Sequence, residues 1–176
     1  MKVRRGSAVV LLLTVTVALL AAGFRSSPPA LGPGSKIGTM TLVRGNEHEA
    51  DQELWGAYCD PLTLKPERYN RTCRAVPRTV RLFIGYGDLE PTMKASAAAW
   101  KKLKWESWLD GHPIDLPRFG TDVRTLDTVR IGGKNAILRE WSVIVNGATP
   151  GKHVIRYRSA SPAGVTDATW TFTVQR

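Results

Sequence analysis

HVIRYRSASPAGVTDATWTFTVQR, residues 153–176, is the stretch on which the fold class turns. Ile155 and Tyr157 alternate with Arg156 and Arg158. After a turn at Ser161-Pro162-Ala163-Gly164, Trp170, Phe172 and Val174 alternate with Thr169, Thr171, Thr173 and Gln175. A period of two marks a strand with one face in a core and the other in water. The stretch therefore predicts a hairpin that closes an antiparallel sheet. Upstream, AILREWSVIV (136–145) sets Trp141, Val143 and Val145 on one face, RTVRLFIGYG (78–87) sets Val80, Leu82 and Ile84 there, and IGTMTLV (37–43) sets Met40 and Leu42. LKWESWLDGHPIDL (103–116) predicts a second hairpin, because Asp110-Gly111 supplies a positive-φ turn between apolar flanks.

Other segments interrupt this pattern. In PTMKASAAAWKKL (91–103), Met93, Ala97, Trp100 and Leu103 recur at helical spacing, the Ala content favours a helix, and Pro91 suits a first turn. LWGAYC (54–59) predicts a short apolar strand. NEHEADQE (46–53) predicts a polar connection, and 117–135 predicts a loop with one short strand around Thr128–Ile131. The fold class that follows is mainly β: an antiparallel two-sheet sandwich over residues 37–176, with one short inserted helix near 91–103.

The start of the chain is different. Lys2, Arg4 and Arg5 precede a run that is apolar from residue 8 to 22 apart from two Thr, and Ala21-Ala22-Gly23 resembles a cleavage site. Residues 1–23 predict a secretory signal peptide or, since 7–24 approaches the length of a spanning helix, an uncleaved N-terminal anchor attaching the chain to a membrane. Either places the rest in a secreted or extracytoplasmic location. Residues 24–36, FRSSPPALGPGSK, predict a Pro/Gly/Ser-rich linker. Lys2, Arg4 and Arg5 account for three of the 25 Lys and Arg, and all 15 Asp and Glu lie further on, leaving 22 against 15 beyond the start. The charges are scattered. They favour solubility and weak association with acidic polymers, and no basic-aromatic platform for a specific nucleic acid is recognisable.

Two cysteines, Cys59 and Cys73, are present. In an oxidising compartment two cysteines of a small domain pair, stapling the polar segment between them and contributing about 3 kcal/mol. Their spacing lacks the C-x-x-C form of redox and zinc sites.

The C-terminal hairpin resembles bacterial immunoglobulin-like (Ig/fibronectin-III-like) domains of secreted proteins. The matching residues are Pro150-Gly151-Lys152-His153, Arg156-Tyr157-Arg158, Ala163-Gly164 and Thr171-Phe172-Thr173-Val174. The resemblance implies an Ig-like sandwich used in adhesion, spacing or ligand presentation. Two departures stand out: the cysteines are close in sequence, and the Ala-rich helix is an insertion.

No chemistry is legible. There is no G-x-S-x-G elbow, and Gly132-Gly133-Lys134 lacks P-loop spacing. Glu47-His48-Glu49 with Asp51 is the densest set of potential metal ligands, yet it follows no metal-binding spacing. His112 and His153 stand apart as surface or cap residues. No catalytic residue, metal or cofactor is predicted. Among the six tryptophans, strand parity sets Trp105 and Leu109 on one face and Trp108 on the other with Lys104 and Glu106. An exposed aromatic can stack on a sugar or anchor a partner. The expected contact surface is therefore the 104–120 hairpin and its loop, with Trp108, His112 and Arg118. The expected function is an exported non-enzymatic binding or structural module of the cell envelope, its partner an envelope polymer or protein. The alternatives are a carbohydrate-binding module using exposed tryptophans and a secreted hydrolase with an unrecognised site.

Overall fold

The computed structural model describes residues 28–59, 68–161 and 164–176. The signal peptide or anchor, the start of the linker, most of the stapled loop and the centre of the last turn lie outside the described residues. The chain is mainly β, in two sheets. The strands are β1 (Lys36–Ile37), β2 (Met40–Arg44), β3 (Gln52–Glu53), β4 (Arg68–Thr72), β5 (Leu82–Glu90), β6 (Lys104–Leu109), β7 (His112–Pro113), β8 (Thr121–Ile131), β9 (Lys134–Asn146), β10 (Gly151–Ser161) and β11 (Gly164–Val174). Two short helices, α1 (Leu54–Tyr58) and α2 (Met93–Trp100), and two 3-10 turns connect them.

The first sheet has the order β1-β2-β9-β5-β3, with β8 also paired to β9; the second is β4-β11-β10-β6-β7. All pairings are antiparallel except β3 with β5 and β4 with β11, both short. The terminal hairpin pairs from Gly151 with Val174 to Ser161 with Gly164, as the alternation predicts. Ile155, Tyr157, Trp170, Phe172 and Val174 are buried against Met40, Leu42, Leu82, Ile84, Val143 and Val145. At the second predicted hairpin, Asp110 (φ 50°) and Gly111 (φ 80°) form a two-residue turn with both residues left-handed, the geometry that an Asp-Gly pair favours.

Four segments differ from expectation. LWGAYC is helical: α1 points Leu54 and Trp55 into the core, and a short apolar run does not distinguish strand from helix. Residues 121–131, expected as loop apart from a short strand around Thr128–Ile131, form one long strand whose residues are exposed or half-buried on both faces, so no alternating signal exists; pairing to β9 makes it a strand. In α2 the inward face is Ser96 and Trp100, while Met93 and Ala97 are exposed, so the expected stripe is rotated. Leu31, inside the stretch read as linker, is 6% exposed. Its N–H donates to Pro113 O at 2.7 Å and its C=O accepts from Asp115 N at 2.8 Å, so the chain there adds a rung beside β7.

Sheet geometry also explains why AILREWSVIV carries apolar residues on both faces. Val143 and Val145 face the second sheet, whereas Ile144, with Phe83 of β5, lies under the chain at 45–53. The first sheet is covered on both sides; the second is covered on one. Leu31→Ala is expected to lower the unfolding free energy by about 2–4 kcal/mol in a denaturant titration, the cost of truncating a buried Leu; a true linker residue would change nothing.

Candidate functional site

The uncovered side of the second sheet is built by parity. Ile155 and Tyr157 point inward, so Arg156 and Arg158 point outward. Cross-strand pairing aligns Trp108, Arg156, Thr169 and Asn70 in one row, and Glu106, Arg158, Asp167 and Arg68 in the next. Directly paired residues share a face, so the two rows form one flat surface across β6, β10, β11 and β4.

Trp108 is half-buried here, and the Arg156 guanidinium carbon lies 5.2 Å from its ring centre, in cation–π range. Arg156 also donates Nε to Asp167 Oδ1 at 3.1 Å and Nη2 to Oδ2 at 3.0 Å, a bidentate pair. That hydrogen bonding holds the Asp167 carboxyl below the usual carboxylate range, with the Arg156, Arg68 and Arg158 charges acting in the same direction. Arg158 faces Glu106 at 3.6 Å. Two depressions mark the surface: about 210 Å³ among Arg68, Asn70, Arg156, Asp167 and Thr169, and about 440 Å³ among Lys104, Glu106, Arg158 and Ala160. Arg68, Lys104, Arg156 and Arg158 outnumber Glu106 and Asp167, so the surface is basic.

The three residues expected to form one contact do not converge. Trp108 is on the outer face. His112 pairs directly with the buried Leu109 and is therefore set on the other side of the hairpin. Arg118 lies in the 3-10 turn Leu116–Phe119, its guanidinium across Gly32, where a Cβ would stand 2.5 Å from Nη1. Residues Arg156, Asp167 and Thr169 were available from the alternation of the last two strands; Asn70 and Arg68 were not, because a parallel edge strand leaves no local signal. Cys59 and Cys73 are disulfide-bonded.

His153, expected as a surface or cap residue, is buried. Its Nε2 donates to Thr149 O at 2.7 Å and its Nδ1 lies 2.8 Å from Asp110 Oδ2, while Asp110 Oδ1 accepts from Val154 N at 2.8 Å. The residue ties the Asp-Gly turn to β10. In the acidic connection, Glu47 pairs with Arg124, Glu49 accepts from Asn46, and Asp51 accepts from Arg81 N, so the potential ligands are dispersed. Among the described residues no set of three His, Cys, Asp or Glu is arranged to hold a metal ion.

The first sheet carries an ionic centre beneath residues 45–53, with Glu140 buried and Arg124, Glu47 and Asp122 partly exposed. Arg124 of β8 lies 2.7 Å from Glu47, 2.7 Å from Asp122 and 2.8 Å from Glu140. Glu140 of β9, 4% exposed, stands opposite Gly87 and beside Gly85; a Cβ on Gly85 would collide with its carboxylate. The two glycines of the IGYG stretch thus leave room for the side chain to lie across β5. Burial pushes the Glu140 carboxyl up to about 7, against the opposing charge and hydrogen bond of Arg124. Glu53 is raised too, by burial and then by the charge of Glu47.

No family model matches the chain, and no curated protein does. Two solved structures are similar. One is the structure of PbICP-C in complex with falcipain-2, with 14% identity over 66% of this chain and 95% of that one, at a TM-score of 0.35. The other is the solution structure of amebosin, with 11% identity over 61% of this chain and 96% of that one, at a TM-score of 0.29.

A carboxyl raised on folding binds its proton more tightly in the folded state, so its contribution to stability is present below its unfolded value and lost as pH rises through the folded one. Between about pH 4.5 and about 7, Glu140 is expected to remove about 1–3 kcal/mol of stability. Glu140→Gln leaves Arg124 paired with Glu47 and Asp122 and makes that slope shallower in a pH series of thermal unfolding. Because Glu53, Asp88 and Glu90 are raised as well, some slope persists.

Proposed function

We propose that this chain is an exported, non-enzymatic binding module of the immunoglobulin-like kind, which lays the outer face of its second sheet on an anionic polysaccharide of the cell envelope. The observation that carries the reading is the fixed group of Trp108, Arg156 and Asp167 on an otherwise open, basic sheet face. An aromatic ring offers a stacking surface for a sugar, cations beside it attract uronate, phosphate or sulfate groups, and Thr169 and Asn70 continue the row with hydrogen-bonding side chains. The two rows run across four strands, a span that suits an extended chain lying across them.

Export is supported by the disulfide, a bond that persists in oxidising compartments, and by the basic and apolar run at residues 1–23. Among the described residues no helix is long and apolar enough to cross a membrane.

Retention of the full chain on immobilised polygalacturonate, compared with neutral dextran, tests the reading. Retention on the acidic polymer is expected to weaken with added salt, because exposed charges are screened. Trp108→Ala and Arg156→Gln are each expected to weaken it about tenfold, with little change in melting temperature. Equal retention on dextran, or variants that bind like the parent chain, would overturn it.

A further inference from the structure

The ribbon of β8 and β9 runs past the rest of the first sheet. The ladder between β5 and β9 stops at Glu90 and Ile137, whereas β8 continues to Ile131 opposite Lys134, where a Gly132-Gly133 turn closes the ribbon. Among the described residues β8 pairs with β9 alone, so its outer side has no neighbouring strand. Such an edge offers backbone donors and acceptors to another strand, and natural sheets blunt it with Lys, Pro or a bulge. The sequence of β8, TDVRTLDTVRI, has neither Lys nor Pro. It does carry a bulge, between Leu126 and Arg130, and there Asp127, Thr128 and Val129 have no partner residue across β9. The irregularity adds unpaired backbone to the open edge.

The side chains of this segment are complementary to a second copy of themselves. Laid antiparallel on its own reverse, the run Leu126-Asp127-Thr128-Val129-Arg130-Ile131 sets Leu126 opposite Ile131, Asp127 opposite Arg130 and Thr128 opposite Val129. A two-fold axis makes each of these pairs occur twice. Apolar meets apolar at both ends, and opposite charges meet inside them, the cross-strand combinations that stabilise a ladder. A shift of one residue in either direction removes both charge pairs, so the match specifies one register. Asp127, Thr128 and Arg130 are exposed, and Leu126, Val129 and Ile131 are half-buried. Within the chain, Asp127 accepts from Asn135 Nδ2 through Oδ1 at 3.0 Å, and Arg130 Nη1 reaches Gly133 O at 3.4 Å. Neither residue makes an ion pair among the described residues. Any extended strand could satisfy the open backbone; the order of charged and apolar side chains is what selects this one.

We infer that two copies of this chain associate edge to edge through residues 126–131 of β8, antiparallel, joining their first sheets into one. The inference does not rest on the outer face of the second sheet, which belongs to the other layer.

The experiment is sedimentation velocity on the full chain over a range of concentrations, with the melting temperature recorded for every variant. An edge this short makes a small interface, so a weak dimer in exchange with monomer is expected. Asp127→Arg and Arg130→Asp each place like charges opposite one another twice. Each is expected to weaken dimerisation about tenfold, with little change in melting temperature because both side chains are exposed. A double variant carrying both Asp127→Arg and Arg130→Asp exchanges the charges, restores both pairs and is expected to dimerise like the parent chain. An equimolar mixture of the two single variants is expected to dimerise more than either alone, since only the mixed pair sets opposite charges at both positions. A monomer at every concentration, a dimer that both single variants leave intact, or a double variant as weak as the single ones would overturn the inference.

Discussion

One indole bridges the two sheets. Trp55, 4% exposed, projects from α1 into the space between them. Its ring meets Tyr86 of the first sheet edge-on at 6.4 Å, and Tyr157 and Trp170 of the second at 6.2 and 5.0 Å. These separations and angles are those that aromatic quadrupoles favour, and each ring removes a large apolar area from water. A buried indole also needs an acceptor for its N–H. Trp55 Nε1 donates to Gly85 O at 2.9 Å, which fixes the ring's depth as well as its tilt. Gly85 thereby serves both faces of β5: its carbonyl receives Trp55 from one side, and its missing side chain admits Glu140 on the other. The disulfide belongs to the same device. Cys59 caps α1, and Cys73 donates its N–H to Thr171 O, so the bond fastens the Trp55-bearing helix to β11.

From that junction the sheets diverge in character. The first is covered twice and holds an ionic cluster under one cover, in which three carboxylates share one guanidinium and desolvation opposes ionisation of the buried member, Glu140. The second is covered once, and its ion pairs stay in water, where each contributes little to stability. The Arg124 cluster bears on where the 45–53 segment sits; the exposed pairs bear on what the surface presents.

What the sequence made legible divides along physical lines. The terminal hairpin, the Asp110-Gly111 turn and the parity of Trp108 were readable, because each depends on residues a few positions apart. The position of α2 was readable from its Ala content, but not its inward face: Trp100 packs at a tilt on Trp141 with ring centres 4.2 Å apart and Ser96 accepts from Arg139, contacts that only the sheet supplies. β4 and β8 were not readable, since their strand character comes from partners almost 100 residues away in one case and from a two-sided polar ladder in the other. Leu31 was hidden by its neighbours, Pro, Ala and Gly, which read as linker although one side chain among them is anchored in the core. For the outer face, the alternation exposed half the group. The Trp108–Arg156–Asp167 contact required knowing that β6 and β11 flank β10.

That contact has a consequence for recognition beyond its charge. A free arginine on a sheet surface samples many rotamers, and ordering it on binding costs about 1 kcal/mol or more. Arg156 has its guanidinium near the Trp108 ring and bonded in a fork to Asp167. The planar fork that Asp167 occupies leaves the remaining N–H groups directed away from it, and Asp167 stays ionised because the same contact holds its carboxyl low. In the proposed function the pair would present a bonded donor beside the ring, so a ligand meeting both would lose little of its binding energy to ordering the protein. An isolated surface lysine beside the same tryptophan would supply the same charge without that preorganisation, which is why the geometry of the group, more than the net charge of the face, singles this surface out.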